Sequence, residues 1–354
     1  MKQYGEDVVR LGFSNLEHDG GPEERPGQLP GKWTRAHHEI LAPRQFDWLG
    51  RAEMTYSQVQ PLNPDAGAEE LAAWEMAKEA ADRRFGAAQT LLGMKGFRAP
   101  TGQGRNPTGM FVRESTFEVV SRHDQLRVWR TPPTNVVLRL RGENAPPTPI
   151  VTVAWHNSFC SPSGREAEAE ELSSLVDKVQ AKYGNDPERR WSAFWGFGDC
   201  NEYPVPVGET VPPIDWNSPE ITDLVHRRHR ARRQPDGSWK SCTYLDELLL
   251  DCGMWDPARY AAQQLGQIRA LDATAGHAAD GQGGGRRIDR GSFDPWTVQA
   301  VLEVNVIDMT GVSDHHGLEV ILSRRKLVEA LRREFDPMPA WSALAYSTVG
   351  GQPG

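Results

Sequence analysis

Three apolar runs in this chain end in residues that can bind a cation or move a proton. IVTVAW (150–155) leads into His156, and WSAFWGFG (191–198) leads into Asp199-Cys200-Asn201. A run ending at Ile307 leads shortly afterwards into Ser313-Asp314-His315. Loops beyond strand ends are where a rigid scaffold aims polar groups, which makes these candidate site positions. Carboxylate oxygens suit Mg2+ or Mn2+, and the lack of a Cys/His cage speaks against structural zinc. Beside such a cation, an Asp–His pair can manage the proton of an attacking water. Each residue alone also has a plainer reading. Asp199-Cys200-Asn201 suits an ordinary turn, His156 a half-buried histidine, Asp314 a loop or cap, and Asn15 a turn cap.

The elements that must position these groups are legible in outline. Residues 7–15 (DVVRLGFSN), 109–120 (GMFVRESTFEVV), 134–141, 150–155, 191–198, 298–307 and 317–322 read as strands. The turn-rich ENAPPTP between 134–141 and 150–155 suits a hairpin. A helix is expected from about 67 to 92, capped by Asp65, with Leu71, Trp74, Ala81 and Phe85 on its apolar face. Ser163-Gly-Arg-Glu166 reads as a capping box opening a helix with Leu172, Leu175, Val176, Val179 and Tyr183 on one face, stopped by Gly184. Residues 205–285 read as an elaboration, with a helix near 218–233 entered at Pro219 and a flexible HAADGQGGG run. A short helix is expected at 325–335. Strands and helices without regular βαβ alternation favour an α+β sandwich over a doubly wound parallel sheet.

The 354 residues are enough to bury a substantial core, and 38% hydrophobic with 25% charged residues is the composition of a globular protein. No apolar run approaches the ~20 residues of a membrane span, and the N-terminus has no apolar signal core. A cytoplasmic location is expected. The net charge of −8 argues mildly against a general duplex-DNA binder. The four cysteines (Cys160, Cys200, Cys242 and Cys252) have no metal-ribbon spacing and read as reduced thiols. The run HRRHRARR (226–233) suits either a phosphate-binding surface or a solvated helix end. GQGGG (281–285) lacks both nucleotide-loop spacings, and no G-x-S-x-G elbow occurs.

Six short motifs together carry a resemblance. SNLE (14–17), RAEM (51–54), WHN (155–157), GDCN (198–201), IDR (288–290) and SDHHG (313–317) occur in one order over most of the chain. In that order they resemble the endonuclease/exonuclease/phosphatase superfamily, with Ala52 standing where the family usually has Gln. The resemblance implies the pancreatic deoxyribonuclease fold: a four-layered α/β sandwich of two mixed, mostly antiparallel sheets flanked by helices. A single domain over 1–354 with the elaboration at 205–285 is expected.

The resemblance also implies roles. Glu53 is the principal metal ligand, helped by Asn15 and Asp314, with Glu17 the alternative carboxylate. Asp199 orients or activates water. Asn201 and His156 donate to phosphoryl oxygens, and His315, oriented by Asp289, is the acid/base histidine. The expected activity is Mg2+- or Mn2+-dependent hydrolysis of a phosphate ester, as a nuclease or phosphodiesterase acting on nucleic acid. A small-molecule or lipid-headgroup phosphatase of the same fold is the alternative, and a non-catalytic binding protein is the second alternative.

Overall fold

The computed structural model describes Tyr4 and residues 7–180, 191–276 and 281–333. In chain order the first elements are β1 (Val8–Asn15), α1 (Gly31–Arg35), β2 (Trp48–Ala52), α2 (Ala68–Leu92), β3 (Lys95–Arg98), β4 (Gly109–Val112), β5 (Phe117–Arg122), β6 (Thr134–Leu140) and β7 (Ile150–His156). There follow α3 (Pro162–Gln180), β8 (Ala193–Asp199), α4 (Leu224–Arg230), β9 (Ala231–Arg233), β10 (Trp239–Ser241), α5 (Tyr244–Asp251) and α6 (Pro257–Leu265). The chain then forms β11 (Asp289–Phe293), β12 (Val301–Ile307), β13 (Gly317–Ser323) and α7 (Arg324–Arg332).

Two large sheets result, with strand orders β12-β13-β1-β2-β4-β3 and β11-β8-β7-β6-β5, and β9 pairs with β10 in a two-stranded ribbon. Each of the large sheets is antiparallel except for one parallel pair, β1 with β2 and β7 with β8. Their facing side chains form one apolar layer, with Leu11, Phe13, Trp48 and Met110 from the first sheet and Val136, Ile150, Trp195 and Phe197 from the second. Trp48 meets Phe197 at 5.5 Å between ring centroids. Burying a Phe-sized side chain contributes about 1.5–3 kcal/mol, against roughly 1 kcal/mol for a helix cap. This inter-sheet layer therefore dominates the fold. On the outer faces, Phe85, Ala88 and Leu92 of α2 pack on Leu49 and Phe111. Leu172 and Val176 of α3 pack with Leu245 and Leu249 of α5 on Val151, Val153 and Phe194. The expected α+β sandwich, helix–sheet–sheet–helix, is the fold.

Several local expectations are corrected. Residues 109–120 are not one strand. A turn at Arg113–Thr116 (Phe117 N to Arg113 O, 3.0 Å) sends β4 into one sheet and β5 into the other. The Arg113 guanidinium holds that turn by donating to Phe46 O at 2.9 Å. Gly67, not Asp65, is the N-cap of α2, and Leu71 is exposed because only the C-terminal half of the helix reaches a sheet. Ser161 rather than Ser163 caps α3, accepting from Gly164 N at 3.0 Å, with Pro162 at the first helical position. Glu166 instead pairs with Arg232 at 2.7 Å. Pro219 sits in a turn. The helix starts at Leu224 behind the Asp223 cap, and 231–233 is strand. Thr297–Ala300 is a 3-10 turn, so the following strand starts at Val301. Tyr183, Gly184, residues 277–280 of the HAADGQGGG run and residues 334–335 lie outside the described residues.

Between β8 and β11 the chain builds a small apolar centre from Tyr203, Ile214, Trp216, Ile221, Ala231, Ala275 and Ile288. Buried ion pairs brace it, Arg287 to Glu209 and Asp256 at 2.5 Å each and Arg259 to Asp246 at 2.7 Å. Among the described residues no helix is long and apolar enough to cross a membrane, and the four cysteines are free.

Candidate active site

Strand register alone lines up half of the candidate residues. His156 is the partner of Asp199 across the parallel β7–β8 pair, and Asp199 is the partner of Asp289 across β8–β11. On the facing sheet Asn15 is the partner of Ala52, which places Glu53 one residue beyond the end of β2. Because β13 runs antiparallel to β1, the Ser313-Asp314-His315 loop before β13 arrives at the same edge. Ser313 closes the join, donating its hydroxyl to Asn15 O at 2.9 Å and accepting from His315 N at 3.1 Å. Gly198 has a packing reason: a Cβ there would overlap the Trp155 indole.

The side chains converge. Asn15 Nδ2 lies 3.2 Å from Asp199 Oδ2 and 3.5 Å from Glu53 Oε1. His156 Nε2 lies 3.6 Å from Asp199 Oδ2 and 3.8 Å from Glu53 Oε1. The ligand atoms of Glu53, His156 and Asp199 fall within 4.8 Å of one another, as do those of Asp199, Asp289 and His315. Asp199 thus belongs to both groups. Glu53 and Asn201 hold positive φ, 54° and 50°, a conformation uncommon for side-chain-bearing residues. Glu53 is steadied by His18 N, which donates to Oε2 at 2.8 Å. Glu17 turns to Lys32 at 3.3 Å. Among the described residues Asp314 makes no short contact of this kind, but His315, Glu17 and Glu53 act on its carboxyl electrostatically.

The electrostatics follow from burial and sign. Burial works to raise the Asp199 carboxyl, but His315, His156 and Arg230 outweigh it and hold the carboxyl below its usual range. Burial pushes Asp289 up. Asp314 is raised by burial, with Glu17 and Glu53 adding to it. Burial would lower His315, yet Asp289 at 2.7 Å, with Asp199 and Asp314, overrides it and pushes the imidazole up to about 10. Asp289 grips Nδ1, so Nε2 is the ring atom left to exchange a proton. His156 donates Nδ1–H to Asn106 O at 3.3 Å.

Hard-cation binding fits this donor set. Asn15 Oδ1 is buried and has no hydrogen-bond partner among the described residues, an oxygen that a hard cation could take as a ligand. Two carboxylates and an amide oxygen are the donors such ions prefer. Cys200, inside the GDCN motif, is not a competing soft ligand, because burial pushes its thiol up to about 12.

Some site partners had no sequence signal. Arg230, read only as part of a basic run, donates to Asn201 O at 2.7 Å and Oδ1 at 2.5 Å and to Phe159 O at 2.9 Å. Arg227 covers Trp239, and Arg232 pairs with Glu166, while Arg228 and Arg233 stay exposed. Thr274 Oγ1 accepts from the Ile288 and Asp289 amides at 3.0 and 2.9 Å. Glu168 accepts from Asn157 Nδ2 and Ser158 N, which fixes the loop after His156.

No family model matches the chain, and no curated protein does. Among solved structures it is similar to the mannosyl-6-phosphatase Bt3783 of Bacteroides thetaiotaomicron, at 12% identity over 88% of this chain and 98% of that one, with a TM-score of 0.49. It is also similar to truncated Caenorhabditis elegans TDP2, at 15% identity over 89% and 97% of the two chains, TM-score 0.49. An AP endonuclease from Archaeoglobus fulgidus is similar at 13% identity over 89% and 99%, TM-score 0.48. At 12–15% identity none of these likenesses sets a substrate for this chain.

Proposed function

We propose that this protein is a Mg2+- or Mn2+-dependent phosphoesterase of the endonuclease/exonuclease/phosphatase type that hydrolyses a phosphodiester. One observation carries the reading: Asp199 stands between an Asn15–Glu53–His156 group and an Asp289–His315 pair, all at one edge of the two sheets. Asn15, Glu53 and Asp314 would hold the cation, which when bound neutralises charge on the phosphoryl group. The remaining work falls to the chain itself. Asp199, kept ionised by its neighbours, orients water and can take its proton. The Asn201 amide has one N–H on Asn157 O at 2.8 Å, and its second N–H is available to a phosphoryl oxygen. His156 Nε2, when protonated, supplies another donor where charge develops. His315, charged at neutral pH beside Asp289, gives a proton from Nε2 to the leaving oxygen.

Turnover of bis-p-nitrophenyl phosphate with Mg2+, Mn2+ or EDTA tests the reading. Activity is expected with either cation and none in EDTA. Full turnover in EDTA overturns the metal-dependent mechanism, and hydrolysis of p-nitrophenyl phosphate alone would make the protein a monoester phosphatase.

A further inference from the structure

A cavity of about 260 Å³ opens beside His156 and Asn157, and the proposed chemistry does not use its far wall. That wall is Arg105, Arg130 and Phe159. Phe159 is a large aromatic side chain left 49% exposed, although the backbone that carries it is fixed, since Phe159 O accepts from Arg230. The Arg130 guanidinium lies 5.5 Å from its ring centroid, and His229 meets the ring nearly edge-on at 6.3 Å. Among the described residues neither Arg105 nor Arg130 pairs with a carboxylate, whereas Arg165, Arg259 and Arg287 do.

An exposed ring on a rigid support, two uncompensated guanidiniums and a contiguous phosphate-ester site form a recurrent combination. It is what an unpaired nucleotide needs, a π-face for the base and cations for the flanking phosphates. A phosphate ligand with no planar or apolar face would use the arginines and leave the ring unused. The overall charge of −8 makes such a local cationic wall the part of the surface that would attract a polyanion.

We infer that this cavity is a nucleotide subsite. It seats a base of single-stranded nucleic acid on Phe159 and Arg130, with Arg105 on the backbone, next to the phosphodiester held at His156. The inference rests on the phosphoesterase reading of the adjoining site and names its substrate class.

The test is fluorescence anisotropy of a dye-labelled single strand, and of a duplex of equal length, in EDTA so that binding is read without turnover. Phe159→Ala is expected to weaken single-strand binding by about 5- to 150-fold, the range for losing one stacked base. Phe159→Trp should restore it, and duplex binding should change much less. Arg105→Gln should make the salt dependence shallower by roughly 0.7 in the log–log slope, the value of one lost phosphate contact. The subsite is overturned if these variants bind the single strand within about twofold of wild type while wild type cleaves phosphodiesters. Equal losses on strand and duplex overturn the stacking role. A wild type inactive with every cation that still binds strands in this pattern keeps the subsite and sinks the phosphoesterase reading alone.

Discussion

Arg230 holds Asn201 by two atoms, Nη1 on the backbone carbonyl at 2.7 Å and Nη2 on Oδ1 at 2.5 Å. The end of α4 is thereby tied to the loop after β8, and the Asn201 amide cannot flip without breaking a charge-assisted bond. Such bonds contribute about 1.5–3 kcal/mol each.

Arg230→Gln should therefore cost stability of that order and lower kcat by roughly 10²-fold, the scale for a misplaced oxyanion donor. Arg230→Lys should not rescue it, because an ammonium cannot bridge both oxygens in the plane of a guanidinium. Arg228→Gln, at an exposed position, should leave both quantities near wild type. The measurements are the urea midpoint and kcat on bis-p-nitrophenyl phosphate. Equal behaviour of Arg230→Gln and Arg228→Gln would remove Arg230 from the site.

Glu53 and Glu17 make opposite predictions for the metal. Glu53 Oε1 faces Asn15 and His156, while Glu17 is turned to Lys32. Glu53→Gln should weaken Mn2+ binding by about tenfold or more, 1.4 kcal/mol per decade, and Glu17→Gln by less than about twofold. Titration calorimetry with Mn2+ reads both. The reverse ranking would move the ligand to the first loop.

Asp19 is a buried carboxylate with three partners: Arg51 at 3.2 Å, Ser57 at 2.6 Å and Arg84 at 3.7 Å. It ties the loop that follows Asn15 at the end of β1 to β2 and the segment after it, which carries Glu53. Asp19→Ala leaves two buried guanidiniums without their carboxylate and should destabilise by about 3–5 kcal/mol. Asp19→Asn, whose amide oxygen can still accept from Arg51 and whose NH2 can donate to Ser57 Oγ, should cost less. Denaturant unfolding ranks them, and a cost below 1 kcal/mol for Asp19→Ala would show that the cluster contributes little.

How much of this was legible in the sequence depends on distance along the chain. The strand ends at His156 and Asp199 stand out because an apolar run stops at a polar residue, a local signal. Trp48–Ala52 does not stand out: five residues, all buried, carry no alternation. The sheet switch at Arg113–Thr116 is likewise hidden, since Val112 and Phe117 are both apolar and only pairing partners distinguish their sheets. Asn15 meets Asp199 across 184 residues, and only the ordered motifs pointed to that encounter. Arg230 shows the converse limit. Composition marks a basic segment but not which of its arginines turns inward, because that depends on the helix beginning at Leu224 rather than near Pro219.

The Asp289–His315 pair gives the last prediction. Oδ2 and Nδ1 are 2.7 Å apart, Asp289 is fully buried, and the imidazole is pushed up to about 10. A histidine raised from its ordinary 6.5 contributes stability that is fully present below about pH 6.5 and is lost as pH rises towards 10. In metal-free protein the His315 ring resonances should therefore stay in the imidazolium position from pH 6 to 8, when an exposed histidine would titrate. Asp289→Asn removes the charge that holds the proton, so the midpoint should fall by NMR titration and the stability between pH 6 and 9 should lose its slope. His315→Ala removes the proton donor and should cut kcat by roughly 10²–10⁴-fold, the usual value of general acid–base participation, while substrate affinity changes by only a few-fold. Asp289→Asn should cost less, because the ring remains. If His315→Ala keeps wild-type kcat on the phosphodiester, the proton must come from elsewhere, and the pair's 2.7 Å contact would be only a structural ion pair between β11 and the loop before β13.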